Sequence, residues 1–308
     1  MWSPDSLSRP PTALRRGAAY LQRGLTIIRP WLPVHLQILV VYASPALVAA
    51  YLSVTIKEPG LWVQAARFTL PLITAVMGTV VVMVSVSQQA CGQPISIGRA
   101  SLKALPWVPR YGWTNVHTSA IFWVPVGLLL QARALQESMA PLAGTARPLV
   151  AAAWWAVIGM VALGLHTRTL LAPFFAIHGD LPGTMAALEA WRLSGRNFSL
   201  CLSTLVVASL PVVLPLAILS IALIVWLSAL PIFLAAAEDL VWVAIQAVRP
   251  LLIPAVYLLY GDLWAAELSR RRREGEPAVP GPARLLLAIT RPLPHLPRLL
   301  SGEGERRR

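Results

Sequence analysis

The sequence predicts an all-α polytopic membrane helix bundle, and three observations predict it. Apolar residues make up 56% of the chain and charged residues only 13%, with a mean hydropathy of +0.64, values extreme for a chain that folds in water. Six apolar segments approach the roughly 20 residues that a helix needs to cross about 30 Å of hydrocarbon. Positive charge gathers on alternate connections between those segments, as it does when an even number of spans returns the chain to its starting side.

The chain opens with a basic segment, residues 1–33, that carries Arg9, Arg15, Arg16, Arg23 and Arg29. It lacks an apolar core followed by a small-residue cleavage site, so it is expected to be retained and to form an interfacial helix. The membrane domain is expected over 34–263, with spans at about 34–56, 68–87, 113–131, 149–166, 199–227 and 242–262. Pro45, Pro71, Pro125, Pro211, Pro215 and Pro254 fall inside them. A bundle meets the carbonyls that proline frees, so kinked spans are the expectation.

Orientation follows from the cations. Arg99, Lys103 and Arg110 follow the second span, Arg168, Arg192 and Arg196 the fourth, and an Arg run at 270–273 the sixth. The opposite connections hold only Lys57, Arg67, Arg133, Arg147 and Arg249. The imbalance places both termini of this multi-pass protein in the cytoplasm. A net charge of +13 then reads as attraction to anionic headgroups and not to nucleic acid, because the basic residues cluster at chain ends and connections, with Trp and Tyr near the ends of apolar runs. Residues 264–308 form a basic, Pro- and Arg-rich tail that is too often broken by proline to span.

Shifting the sequence by about 86 positions lays 98–113 over 184–199, with Ala100 on Ala186, Leu102 on Leu188, Ala104 on Ala190 and Arg110 on Arg196. At about 100° per residue, Glu189, Arg192 and Arg196 share one helical stripe, and Arg99, Lys103 and Arg110 share the same phase in the first copy. Each copy is expected to be a short interfacial helix whose charged stripe faces water or headgroups. The repeated unit, span, interfacial helix, span, is a parallel repeat. Asp180 is expected to cap the second helix, with Pro182 in its first turn and Gly195 near its end.

The stretch from Arg168 to Phe198, with Arg168, Pro173, Gly179, Ala187, Leu188, Trp191 and Arg196, resembles the signature of a six-span bacterial group that includes the membrane domain of glycerophosphoryl diester phosphodiesterases. Residues 258–276, with Tyr260 and Asp262, are similar to the element with which those domains finish. The chain departs from the pattern in placing Asp180 after the glycine and Trp264 where an arginine is usual. The resemblance implies a six-span fold covering most of 20–276 and, without the separate catalytic barrel of about 250 residues, no phosphodiesterase activity.

His178 and Asp180 form an H-x-D pair, but a metal site needs three or four ligands and no second cluster accompanies them. His35, His117 and His166 sit near expected span ends. Cys91 and Cys201 lie in different contexts and imply no disulfide framework. No H-E-x-x-H, G-x-S-x-G or P-loop occurs, and no cofactor is expected. Arg99, Lys103, Arg110, Arg168, Arg192 and Arg196 are the candidates for lipid or phosphate contact; Pro173, Gly179, Asp180, Trp191, Tyr260 and Asp262 are the structural motif. Glu238 and Asp239 are expected in a solvated loop between the last spans. A non-enzymatic module that organises the membrane or binds lipid or a partner is the leading expectation. A transporter or permease is the alternative, disfavoured by the scarcity of ionisable residues in the spans. An intramembrane hydrolase comes last.

Overall fold

The computed structural model describes residues 12–55, 60–139, 146–227 and 231–275. Residues 1–11 with Arg9, Lys57 and the tail from 276 onward lie outside the described residues. All regular structure among the described residues is helical. In order the helices are α1 (Ala13–Ile28), α2 (Leu32–Thr55), α3 (Leu61–Ala90), α4 (Ile97–Ala104), α5 (Val108–Met139), α6 (Ala146–Thr169), α7 (Ala172–Ile177), α8 (Gly183–Arg196), α9 (Phe198–Leu227) and α10 (Pro231–Arg273). Among the described residues, six helical stretches are long and apolar enough to cross a membrane: Ala13–Pro45, Leu72–Ala90, Ile97–Leu135, Leu149–Ile177, Phe198–Pro215 and Val248–Arg273. Each overlaps one expected span. The helices run on through Pro45, Pro125, Pro211, Pro215, Pro250 and Pro254.

Two boundaries differ from the sequence expectation. The last helix begins at Pro231 and ends at Arg273, so Glu238 and Asp239 belong to a helical backbone and not to a loop. Its 43 residues span about 65 Å at 1.5 Å per residue, twice a bilayer core. The first copy of the repeat is shorter than expected. After Ala104 a 3-10 turn, Leu105–Trp107, with Pro106 near its start, breaks the helix. Arg110 therefore belongs to the first turn of α5 and leaves the phase of Arg99 and Lys103.

The element order repeats three times, not twice: short amphipathic helix, span, span. The units are α1–α2–α3, α4–α5–α6 and α8–α9–α10, with α7 inserted before the third. The pairs α2/α3, α5/α6 and α9/α10 pack as hairpins. Each amphipathic helix lies against the hairpin of the unit before it: α4 against α2 and α3, α8 against α5 and α6, and α1, closing the circle, against α9 and α10. Contacts of α3 with α5, of α6 with α9 and of α10 with α2 and α3 join the hairpins in the same cyclic order. The three short helices thus make a collar around one end of the bundle. All three units begin on that side, as a parallel repeat requires.

Close backbone approach explains how α1 seats. Gly17 and Gly24 lie seven residues apart on one face, and a Cβ there would fall 2.8 Å from the Ser203 carbonyl carbon and 2.9 Å from the Ala255 nitrogen. Ser203 adds a hydrogen bond, its hydroxyl donating to the Ala13 carbonyl at 2.8 Å. The core includes Val80, Val81 and Val86 of α3, Phe175 of α7, Ala186 and Ala190 of α8, and Val256 and Leu259 of α10, all buried. Outward faces of α5 and α6 stay apolar and exposed, as at Trp123, Leu128, Trp155 and Met160, which is the surface a lipid-facing helix presents.

Candidate functional site at the collar

Helix α8 forms because its small and apolar residues, Ala186, Ala187, Ala190 and Leu193, recur at helical spacing and are buried. The charged stripe faces elsewhere than the sequence suggested. Glu189 is buried and points to the C-terminal end of α10. There Arg192 Nη2 donates to Glu189 at 3.0 Å and to Glu267 at 2.6 Å. Arg271 answers from the other side, with Nη2 donating to Glu189 at 2.9 Å and Nε to Glu267 at 3.0 Å. Glu189, Arg192, Glu267 and Arg271 form a closed ring of alternating charge. Arg196 Nη1 donates to Glu267 at 3.2 Å, Arg270 adds two bonds of 3.0 Å to the same carboxylate, and Glu274 pairs with Arg270. Burial pushes the Glu189 carboxyl up from its ordinary range, and the Arg192 charge pulls it back. Both oxygens of Glu267 and Oε2 of Glu189 accept from guanidiniums, so the arrangement fastens α8 to α10.

Other candidate residues also find partners inside the protein. Arg110 pairs with Asp180 and stacks over Trp107. At Asp180 the backbone is left-handed, φ 53°, and its carboxylate goes to α5, so it does not cap α8. Pro182 holds the N-cap position without a side-chain bond, which corrects the expected cap. Arg168 donates to the Trp191 carbonyl at 3.3 Å and lies over the Trp191 and Phe198 rings. Gly195 makes room for it, since a Cβ there would collide with the guanidinium. Lys103 donates to Gln88 at 3.0 Å. Of the six cations singled out from sequence, Arg99 alone is exposed with no side-chain partner among the described residues.

The motif residues are structural. Pro173 lies in the first turn of α7; Gly179 packs so closely on Phe175 that a Cβ would lie 2.8 Å from its carbonyl oxygen; the Tyr260 ring contacts Phe174 at 5.7 Å and Phe175 at 5.1 Å. Asp262 accepts from the Tyr20 hydroxyl at 2.9 Å and from Arg23 at 3.4 Å, tying α1 to α10.

The H-x-D pair is separated. Asp180 turns to Arg110, while the His178 ring packs against Phe174 and Tyr257, its Nε2 buried without a hydrogen bond. Burial holds the His178 pKa down to about 4. His35 lies 2.8 Å from the Gln89 side-chain oxygen, and Gln89 donates to Ser85. His117 donates through Nδ1 to the Trp113 carbonyl and accepts through Nε2 from Thr184. No group of three or more His, Cys, Asp or Glu side chains suited to a metal occurs among the described residues. Cys91 is exposed and Cys201 buried.

Sequence reasoning passed over Glu267, Arg271, Tyr20 and the identity of two turns. The spacing of Glu267 with Arg270 and Arg271, i to i+3 and i+4, was a readable pairing signal. Pro-Trp-Leu-Pro at 30–33 and Pro-Trp-Val-Pro at 106–109 build the same 3-10 turn, one leading from α1 into α2 and one from α4 into α5. Arg249, counted with the outer connections, lies within α10, its Nη1 donating to the Ala75 carbonyl of α3 at 2.7 Å.

Comparison with protein-family models, with curated proteins and with solved structures finds no match for this chain.

Proposed function

We propose that this multi-pass membrane protein works without catalysis, as a module that organises the membrane around it or binds lipid or a partner at its collar. In this reading it sits in a bacterial inner membrane with the collar, and both chain ends, in the cytoplasm, as the distribution of cations favours. The family resemblance carried by Arg168, Pro173, Gly179, Trp191, Tyr260 and Asp262 agrees with it. The observation that carries the proposal is the collar: three amphipathic helices at one end of the bundle, each with leucine exposed beside arginine, as at Leu14, Leu102 and Leu188. An exposed leucine next to a cation is costly in water and suited to the boundary between acyl chains and headgroups. The ion ring of Glu189 and Glu267 supports the same reading by holding α8 in place.

Arg249 favours a second reading, a transporter or permease, because a cation within a span marks a path for a polar solute in many membrane proteins. Flux measurements on the full chain in sealed liposomes separate the two. The module reading expects no uptake of small organic or inorganic anions above empty liposomes; saturable uptake lost in Arg249→Gln would replace it.

A further inference from the structure

The three collar helices do not balance their charge in the same way. In the third, Arg192 and Arg196 are answered by Glu189 and Glu267, carboxylates of the protein itself. No acidic residue occurs in α1 or α4. Arg23 of α1 reaches Asp262, but Arg15, Arg16 and Arg99 are exposed and have no ion-pair partner among the described residues. Their apolar neighbours are exposed as well: Leu14 is 60% exposed, and Leu102, one turn from Arg99, is 69% exposed. The two helices also share the Pro-Trp-x-Pro turn that leads into a span, with Trp31 and Trp107 half-buried at the junction. The third unit has Asn197 there instead.

We infer that α1 and α4 are the lipid-binding elements of the collar, that Arg15, Arg16 and Arg99 take the phosphate of an anionic phospholipid as their counter-charge, and that α8 is not a lipid seat. This rests on the reading of the collar as a lipid-facing structure and names its partner. The occupant must offer negative charge and an acyl layer at once, because Arg99 and Leu102 lie on one face of α4. A bilayer leaflet supplies both; a soluble anion supplies only the first. The paired Pro-Trp turns place each basic helix beside a span entry, where tryptophan is comfortable among headgroups.

Native mass spectrometry of the full chain, released from nanodiscs of mixed phosphatidylglycerol and phosphatidylcholine, tests this. Wild-type protein is expected to retain phosphatidylglycerol preferentially. Retention should fall by about fivefold for each arginine lost among Arg15→Gln, Arg16→Gln and Arg99→Gln, the size expected of one basic residue at an anionic surface. Lysine at the same three positions should restore it. Arg192→Gln with Arg196→Gln should lower thermal stability yet leave retention at the wild-type level. Undiminished retention in the α1 and α4 variant, or its loss in the α8 variant, overturns the inference, and so does displacement of the lipid by excess inorganic phosphate. Equal retention of both lipids by the wild type would instead sink the parent reading of the collar.

Discussion

Arg192 and Glu267, 75 positions apart in sequence, meet at 2.6 Å, and through that contact the third collar helix is fixed to the end of the last span. Four guanidiniums converge on the Glu267 carboxylate: Arg192, Arg196, Arg270 and Arg271. Glu267 is 5% exposed and Arg271 3%, so removing the Glu267 charge strands the buried Arg271 guanidinium, while Arg192 and Arg196 can turn to water. Glu267→Ala is expected to destabilise the protein by about 3–5 kcal/mol, read as a lower thermal midpoint in detergent. Glu189→Ala should cost less, because only Arg192 and Arg271 depend on it. Equal losses for the two would show that the ring does not center on Glu267.

Seating of α1 depends on close backbone contact. Gly24→Leu places a branched side chain where Ala255 and Pro254 already stand, and is expected to cost about 1–3 kcal/mol and to make the first turns of α1 a target for limited proteolysis. Tyr20→Phe removes one bond to Asp262 and should cost about 1 kcal/mol. If Gly24→Leu were as protease-resistant as the wild type, the packing of α1 on α10 would need revision.

Stability should fall with acid in a window set by His178. Its pKa is lowered from 6.5 to about 4 by burial, so the unfolded chain takes up a proton at a pH where the folded protein refuses it. That contribution is complete above pH 6.5 and is lost as pH falls toward 4, by at most about 1.4 kcal/mol per unit. Glu189, raised by burial, acts with the opposite sign, losing stability as pH rises. Comparing the wild type with His178→Phe isolates the histidine: the variant should show a shallower decline between pH 6.5 and 4.

Cysteine labelling reads out orientation. Cys91 follows α3 at the collar side and is exposed, whereas Cys201 is buried in α9. A membrane-impermeant maleimide should label Cys91 in inside-out vesicles and not in intact spheroplasts, and Cys201 should react only after denaturation. Labelling of Cys91 from the opposite face would invert the proposed topology.

The spans were legible because apolar length alone specifies them, and the phase of Glu189, Arg192 and Arg196 because helical periodicity specifies a face. What that face meets was not legible. Periodicity says that three side chains point together, but their partner Glu267 stands on a helix whose end the hydropathy pattern placed several turns too early. Asp180 was misread for a related reason: an acidic residue shortly before a helix is the usual capping signal, and only the left-handed turn at that residue, with Arg110 brought across from α5, redirects it. The first unit of the repeat, α1–α2–α3, was hidden because α1, α4 and α8 share a role and little sequence, although the Pro-Trp-x-Pro turns that follow α1 and α4 were there to be matched.

Depth-resolved spin labelling tests the central claim, that α1, α4 and α8 form one collar in the boundary layer of a single leaflet. Nitroxides placed singly at Leu14, Leu102 and Leu188, each exposed on its own collar helix, would be compared by oxygen and nickel-chelate accessibility in liposomes. All three are expected at a common depth, within about 5–10 Å of the headgroup boundary, and on the side where Cys91 is labelled. Labels in bulk water, or divided between the two leaflets, would contradict it.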